Sequence, residues 1–308
     1  MLDRNISAVD LFCGIGGLSY GLKQSGITIK AGFDFDSNCQ YAYEANCEAP
    51  FIHKDIVNIT KEEINAYYDK DDIKILLGCA PCQPFSTYTL SGDKQKDQRW
   101  QLLYEFSRLI KETKPDIVSM ENVPNLLNFK KEPVFENFVK ELKDDGYFVW
   151  YKVVYSPDYG IPQKRKRLVL LGSKKGKIEL INPTHTKQEY ITVKDAIGEL
   201  EELNSGESSK KDFIHRASKL SDKNIERLKQ SVQGGSWRDW DKNIVLECHK
   251  KKSGKTYGSV YGRMKWDEPS PTMTTFCTGI GNAVPPRLGE VIGISIIKHI
   301  EEMEDGKS

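Results

Sequence analysis

The chain contains 308 residues, of which 38% are hydrophobic and 29% charged, a composition typical of a soluble globular protein and not of a disordered or fibrous one. No apolar stretch approaches the roughly 18 residues of a membrane span, and the N-terminal segment lacks a secretory pattern. We therefore expect a cytoplasmic protein that does not contact membranes. Seven irregularly spaced cysteines indicate reduced thiols and argue against a disulfide framework.

Charge is distributed unevenly along the chain. Residues 1–160 contain 18 basic and 24 acidic side chains, residues 161–255 contain 22 and 13, and residues 256–308 contain 5 and 7. A basic middle third is what binding to a phosphate backbone requires. A solvated lysine-rich surface would give the same counts, so charge leaves both readings open.

Apolar runs alternate with helical periodicity along the first half of the chain. The predicted strands are 6–12, 27–33, 73–77, 116–120, 148–154 and 168–172. The predicted helices are 17–24, 37–46, 60–68, 98–113 and 131–145. This alternation predicts an α/β fold of Rossmann-like type, with a mostly parallel sheet and helices on both faces.

The pattern changes after Ser173 to short, polar, lysine-rich segments. We predict a catalytic and cofactor-binding domain over 1–173 and a smaller, irregular lobe over 174–265. Residues 266–308 are expected to return to the first domain, through an apolar-periodic helix from Leu288 to Ile300.

A glycine-rich turn at 10–22 follows the first predicted strand and opens a helix, which leaves room for a ligand beside backbone amides. Asp34 ends the second strand, where a carboxylate can accept from two ribose hydroxyls, and Phe35 can stack on adenine. Asp55 and Ile56 follow the next helix, where an acceptor for the adenine amino group would lie. Each of these residues alone could equally be a turn residue.

The segment LLGCAPCQPFS at 76–86 places Cys82 in a proline-bounded turn at the C-terminal end of a strand. Open parallel sheets bind ligands at that edge. Cys79 and Cys82 also form a CxxC pair of the kind found in zinc and redox sites. The remaining cysteines supply no second pair for zinc, and the CxxC does not open a helix as a redox pair would.

Six tracts resemble the cytosine-5 DNA methyltransferase family, of the bacterial restriction-modification or Dcm-like type, and occur in the family's order. They are DLFCGIGG at 10–17, PCQ at 81–83, ENVP at 121–124, QKRKR at 163–167, PSPTMTT at 269–275 and GNAVPP at 281–286. Six concordant tracts, which are spread over the chain outside the basic lobe, are a much stronger signal than any single motif.

The resemblance implies transfer of a methyl group from S-adenosyl-methionine to carbon 5 of a cytosine flipped out of duplex DNA, with S-adenosyl-homocysteine as the product. The Cys82 thiolate would add to carbon 6 and make carbon 5 nucleophilic. Glu121 would bind the N3 and amino edge of the base. Arg165 and Arg167, two residues apart at the start of a strand, should share a face, and Arg167 is the expected catalytic arginine.

The predicted site falls into three sets, and no metal is expected. The catalytic residues are Cys82, Glu121, Arg165 and Arg167. The cofactor-binding residues are Phe12, Gly14, Gly16, Gly17, Asp34, Phe35, Asp55, Ile56, Asn282 and Ala283. The substrate-binding residues are Pro81, Gln83, Ser86, Arg99 and Asn122; Asn122 and Pro124 are also expected to shape the backbone around Glu121.

The resemblance makes 174–265 the target-recognition lobe. Residues 87–99 form a long polar loop with Gly92 as a hinge, which could be a lid that closes over an extruded base or an ordinary surface loop. Side chains with suitable donors for groove edges are candidate base readers. They are Arg216, Arg227, Arg238, Gln233 and Asn243. Trp237 and Trp240 are expected to lie in the lobe's core.

The chain departs from the family pattern between Thr275 and Gly281, where five residues replace several dozen. This leaves three hypotheses open. The first is a monomeric DNA-modifying enzyme, paired with a separate restriction endonuclease or acting alone. The second is a tRNA cytosine-5 methyltransferase, and the third is an inactive DNA-binding relic.

Overall fold

The computed structural model describes residues 5–81, 99–129, 132–251, 262–272 and 283–306. These residues form two compact units. The first comprises the described parts of Met1–Tyr159, Lys166–Thr184 and Thr274–Ser308. The second comprises those of Gly160–Arg165 and His185–Met273.

A seven-stranded sheet organises the first unit. The strands of the described chain are β1 Ile6–Leu11, β2 Thr28–Asp34, β3 Phe51–His53, β4 Ile73–Gly78, β5 Ile117–Asn122, β6 Phe148–Tyr155, β7 Gln163–Lys164, β8 Lys166–Ser173 and β9 Ser270–Pro271. The sheet order is β3-β2-β1-β4-β5-β8-β6. The first five strands in this order pair in parallel, whereas β8 runs antiparallel to both β5 and β6. The predicted mostly parallel sheet is therefore confirmed.

Helices alternate with the strands of the first unit. The helices of the described chain are α1 Gly17–Gln24, α2 Gln40–Cys47, α3 Lys61–Asn65, α4 Leu102–Thr113, α5 Val134–Asp144, α6 Val193–Ile197, α7 Asp222–Gln230, α8 Glu247–Lys250 and α9 Pro286–Asp305. No helix in the described ranges is both long and apolar enough to cross a membrane.

One face of the sheet packs against α3, α4 and α5. Val9 and Leu11 of β1 share a buried cluster with Ile64 of α3, Phe106 of α4 and Phe138 of α5. The apolar residues of α4 and α5 recur at helical spacing, so each helix presents one apolar stripe to the sheet. The phenyl rings of Phe106 and Phe138 stack with centroids 5.6 Å apart.

The other face packs against α1. Asp10 lies between Val9 and Leu11 and therefore points to the opposite face, where it accepts a hydrogen bond from Ser19 of α1. Helix α1 also packs closely on α9: a Cβ atom at Gly21 would lie 2.1 Å from the backbone oxygen of Pro286. The sheet thus carries helices on both faces.

Most predicted elements agree with the structure to within a few residues. The first predicted helix coincides with α1. The strand β3 was not predicted, because its three residues are too few to show a period. As a result Asp55 and Ile56 follow a strand, not a helix, and the helix predicted over 60–68 spans only Lys61–Asn65.

The second unit has short helices and a two-stranded parallel pairing of β7 with β9. Its core contains Trp237, Trp240 and Ile244, which confirms that both tryptophans are buried. Arg227 of α7 is also buried: its Nε donates to the Ile244 carbonyl at 2.7 Å and its guanidinium lies over the Trp240 ring. The prediction that Arg227 reads bases is therefore wrong, because its side chain is buried and hydrogen-bonded in the core of the second unit.

Candidate active site

Four polar or glycine-rich segments meet at one edge of the sheet. The register pairs Leu11 of β1 with Phe33 of β2 on one side and with Gly78 of β4 on the other. Gly78 in turn pairs with Met120 of β5. The residues that follow these strands therefore emerge together, at the carboxyl edge where parallel sheets bind ligands.

The glycine turn occupies the first of these segments. Phe12, Gly14 and Gly16 all have left-handed backbone angles, with φ of 59°, 51° and 86°. A Cβ atom at Gly14 would meet nothing within 4 Å, whereas one at Gly16 would lie 2.6 Å from Cys47 Sγ. Gly16 is thus required for packing, and Gly14 leaves open space above the turn.

Asp34 links the turn to the second strand. Its Oδ2 accepts from the Gly14 amide at 2.8 Å and its Oδ1 accepts from the Asp36 amide at 3.0 Å. A carboxylate has about four acceptor positions, so each oxygen can still accept one hydroxyl. The neighbouring Phe35 side chain is 69% exposed, and its carbonyl lies 2.8 Å from Nε2 of His53.

The side chain of Asp55 is available to a ligand, whereas that of Ile56 is not. Asp55 is exposed and accepts from the Val57 amide through Oδ1 at 3.2 Å. Ile56 is 6% exposed and its side chain lies in the core cluster. Only the backbone of Ile56 remains for a ligand.

A buried polar group beneath the glycine turn was not predicted. Ser19 Oγ donates to Asp10 Oδ2 at 2.6 Å and lies 3.2 Å from the Tyr43 hydroxyl. Burial raises the pKa of Asp10 to about 7, the Ser19 hydrogen bond lowers it, and the negative charge of Asp34 raises it further. Asp10 in DLFCGIGG could have indicated this group, because it is the one charged residue in an otherwise uncharged buried strand. The sequence does not show, however, which side chains it contacts.

Glu121 and Arg167 form the charged centre of the site. Glu121, near the end of β5, is 6% exposed. Arg167 Nε on β8 lies 2.9 Å from its Oε1. The guanidinium also donates to the Lys166 carbonyl at 2.8 Å, which fixes its direction along the strand. The structure thus brings together two of the predicted catalytic residues.

Asn122 ties the end of β5 to the loop after β4. Its Nδ2 donates to the Ala80 carbonyl at 3.0 Å, and its Oδ1 accepts from the Val123 amide at 2.8 Å. The side chain is only 2% exposed. Asn122 therefore holds the backbone two residues before Cys82, in keeping with its expected shaping role.

Several predicted site residues lie outside the described residues. They are Cys82, Gln83, Ser86, Asn282, the predicted lid up to residue 98 and the side chain of Arg99. Pro81 is described and half-buried, and so is Ala283. A Cβ atom at Gly17 would lie 2.2 Å from the Val284 carbonyl oxygen, so the stretch after Ala283 abuts the glycine turn.

Arg165 departs from the predicted arrangement. The strand β8 begins at Lys166, so Arg165 lies outside it and the argument from strand alternation does not apply. Arg165 belongs to the second unit, is 3% exposed and donates its backbone N–H to the Gln163 carbonyl at 2.8 Å. Arg165 therefore belongs to the second unit and Arg167 to the first.

Comparison with known proteins identifies the family. The model of a family described as C-5 cytosine-specific DNA methylase matches residues 6–279. Type II methylase M.HgiDII of Herpetosiphon aurantiacus is 51% identical over 276 residues, which are 90% of this chain and 77% of that protein. Type II methyltransferase M1.HphI of Haemophilus parahaemolyticus is 30% identical over 273 residues, 88% of this chain and 71% of that protein.

A crystal structure described as a DNA modification methyltransferase encoded within an E. coli prophage has a similar fold. Its TM-score is 0.69 at 20% identity, and the match covers 96% of this chain and all of that one. The fold and the ligand-binding edge define an S-adenosyl-methionine-dependent methyltransferase. More particularly, the chain belongs to the C-5 cytosine-specific DNA methylase family, as the sequence tracts predicted, and it is an enzyme.

The residues at the carboxyl edge fit S-adenosyl-methionine. Gly14 leaves space above the turn, Asp34 retains free acceptor positions for a ribose diol, and Phe35 exposes its ring for an adenine. When bound, this cofactor supplies a methyl group made electrophilic by its sulfonium sulfur. The described residues contain no cluster of three or more potential metal ligands.

Proposed function

We propose that this enzyme methylates carbon 5 of cytosine in duplex DNA, through a covalent bond between Cys82 and carbon 6 of a base flipped out of the helix. The observation that carries the proposal is the buried Glu121–Arg167 pair at the end of β5, with Asn122 holding the loop that leads to Cys82. The family description and the names of the relatives, which are DNA methylases, support DNA as the substrate and do not favour tRNA.

Each residue has a distinct task in this reaction. The Cys82 sulfur forms a bond to carbon 6, and the electrons of the carbon 5–carbon 6 double bond become available at carbon 5. Glu121 binds the N3 edge, where a proton neutralises the ring as charge develops. After the methyl group is transferred, the proton on carbon 5 leaves to water, and the bond between sulfur and carbon 6 breaks to release the thiolate.

Arg167 is proposed to position Glu121. Its Nε lies 2.9 Å from Glu121 Oε1. Arg167 would thereby hold the carboxylate in place for the base edge.

The second unit is proposed to recognise the DNA target. Its stretch of sequence carries most of the excess of basic side chains, and phosphate contacts make up half or more of protein–DNA hydrogen bonds. The relatives named as Type II methyltransferases suggest a separate endonuclease of the same specificity. Coexpression should show whether the methyltransferase protects DNA from such a nuclease.

The test is covalent trapping on duplex DNA that contains 5-fluorocytosine. With S-adenosyl-methionine, the wild-type chain should form an adduct that survives denaturation, because fluorine cannot leave carbon 5 as a proton does. Cys82→Ser should form no adduct, and Cys79→Ser serves as the matched control that keeps Cys82. A folded wild-type chain that binds cofactor but neither methylates nor traps duplex DNA would contradict the proposal and favour the relic hypothesis. Methylation of tRNA in preference to duplex DNA would favour the tRNA hypothesis.

A further inference from the structure

A small hairpin in the second unit exposes two adjacent large apolar side chains. Phe213 is 86% exposed, the largest fraction for any large apolar side chain among the described residues, and Ile214 is 72% exposed. Scattered single apolar residues are ordinary on a protein surface. Two neighbours at the tip of one projecting turn point to a binding surface.

The hairpin holds its shape through its own hydrogen bonds. Ser208 and Arg216 form an antiparallel bridge, and the Ser209 amide donates to the His215 carbonyl at 2.8 Å. Asp212 Oδ1 accepts from the Ile214 amide at 2.9 Å. The tip therefore presents Phe213 and Ile214 on a backbone that is already ordered, which lowers the entropic cost of binding.

Two further bonds anchor the hairpin to the preceding segment. Ser209 Oγ donates to Glu201 Oε2 at 2.7 Å and accepts from the Lys211 amide at 3.0 Å. The His215 ring nitrogen Nε2 lies 2.7 Å from the Glu201 carbonyl oxygen. Neither bond involves the two apolar side chains, which remain exposed.

Basic residues flank the apolar tip in the sequence. Residues 203–220 contain four basic and two acidic residues. The basic residues are Lys210, Lys211, Arg216 and Lys219. Both acids are engaged with the backbone, since Glu207 accepts from the Asn204 amide at 2.7 Å and Asp212 accepts as described above. In the described part of the chain, Lys210 and Lys211 have no ion-pair partner.

An apolar pair flanked in the sequence by lysine and arginine suits duplex DNA better than a protein surface. Protein partners favour a larger continuous apolar core with charges at its rim. DNA-binding proteins combine lysine and arginine contacts to phosphates with apolar side chains that insert between base steps or touch thymine methyl groups. The hairpin offers both within a few residues.

We infer that the 207–217 hairpin is a DNA-reading element, in which Phe213 and Ile214 contact the bases while Lys210 and Lys211 contact phosphates. The inference rests on the proposed function, because it assumes that duplex DNA is the substrate. It assigns sequence discrimination to apolar contact at this tip, whereas the earlier candidates were all hydrogen-bonding side chains.

The test measures binding of the full chain to two short fluorescent duplexes over a range of salt concentrations. One duplex carries the sequence that the wild-type chain methylates, found by sequencing the methylated product, and the other carries a scrambled sequence. Phe213→Ser should weaken binding to the first duplex about tenfold, the scale of losing one stacked base contact, and should change binding to the second little. The slope of log affinity against log salt should remain that of the wild type.

The double variant Lys210→Ala/Lys211→Ala should behave differently. It should weaken binding to both duplexes and flatten the salt slope by about two, because each phosphate contact releases roughly one counterion. Phe213→Leu should retain most of the affinity, since it keeps an apolar side chain. Phe148→Ser, which removes a phenyl group 49% exposed on β6 of the first unit, is the control and should match the wild type.

The outcomes separate the two proposals. Wild-type affinity and discrimination in Phe213→Ser, with methylation intact, would overturn the hairpin inference and leave the proposed function standing. Failure of the wild-type chain to bind or methylate duplex DNA would overturn both. Because Phe213 is 86% exposed, its replacement should leave the thermal unfolding midpoint unchanged, so lost binding cannot be attributed to misfolding.

Discussion

Arg167 Nε on β8 lies 2.9 Å from Glu121 Oε1 on β5, and the two side chains are only 13% and 7% exposed. The pair joins neighbouring antiparallel strands at the edge where the substrate base is proposed to bind. Removal of one partner from such a pair leaves an uncompensated charge in a nearly dry environment.

Arg167→Met should destabilise the fold by about 3–5 kcal/mol, because it leaves the Glu121 carboxylate buried without its cation. Glu121→Gln in the same background should recover most of that loss. Chemical denaturation of Arg167→Met, of Glu121→Gln, of the double variant and of the wild type measures the coupling. Lys140→Met, which breaks an exposed ion pair with Asp144, is the control and should cost less than about 1 kcal/mol. A double variant that loses as much stability as the two single variants combined would show that the buried pair is not coupled.

Asn122→Ala should slow methyl transfer without weakening cofactor binding. The variant removes the bond that holds the Ala80 carbonyl, so the loop that leads to Cys82 loses its anchor. We expect a stability loss of about 1–3 kcal/mol from the buried carbonyl left unpaired. Single-turnover kinetics and cofactor titration separate the two effects. Asn125→Ala, at an exposed position of the following turn, should change neither, and a similar loss in that variant would refute the anchoring role.

Gly14→Ala should weaken binding of S-adenosyl-homocysteine by at least tenfold, because a methyl group would occupy the open space above the turn. Gly26 offers a matched control, since it too has a positive φ, of 99°, and no atom within 4 Å of an added Cβ. Both variants should lose about 1 kcal/mol of stability to left-handed backbone strain. Calorimetric titration should detect weaker binding in Gly14→Ala alone, and equal affinities in the two variants would place the cofactor elsewhere.

Asp10 should make stability depend on pH. Its pKa is raised to about 7 by burial from a reference value of 3.8, so the folded state keeps a proton that the unfolded state loses. The free energy of unfolding should therefore fall as pH rises from about 4 to 7, by an amount on the order of 4 kcal/mol.

Asp10→Asn keeps an oxygen acceptor for Ser19 and removes the titration. Its stability relative to the wild type should rise across the same pH range and level off above about pH 7. Denaturant unfolding at a series of pH values gives the difference. Asp267→Asn, at an exposed position, should show no such trend, and a flat difference for Asp10→Asn would mean that the carboxyl is ionised in the fold.

The sequence by itself determined the family and the order of most strands and helices of the first unit, although not strand β3. Helix α1 was predicted at its observed bounds because its apolar residues recur at helical spacing after a glycine turn. The tracts around Cys82 and Glu121 could be recognised from the sequence because their chemistry requires particular residue types at fixed local spacings. Asp34 and Phe35 could be placed at a strand end for a similar reason: each of these signals consists of residues only a few positions apart in the sequence.

Tertiary structure alone decided which of these segments meet. Strand β8 runs antiparallel between β5 and β6, and this pairing brings Arg167 to Glu121, although 45 positions separate them in the chain. The burial of Arg227 against Trp240 and the polar group of Asp10, Ser19 and Tyr43 likewise depend on contacts between separate segments. Periodicity reports which face of an element is apolar but does not identify the element that covers it, so long-range partners are fixed only when the chain packs.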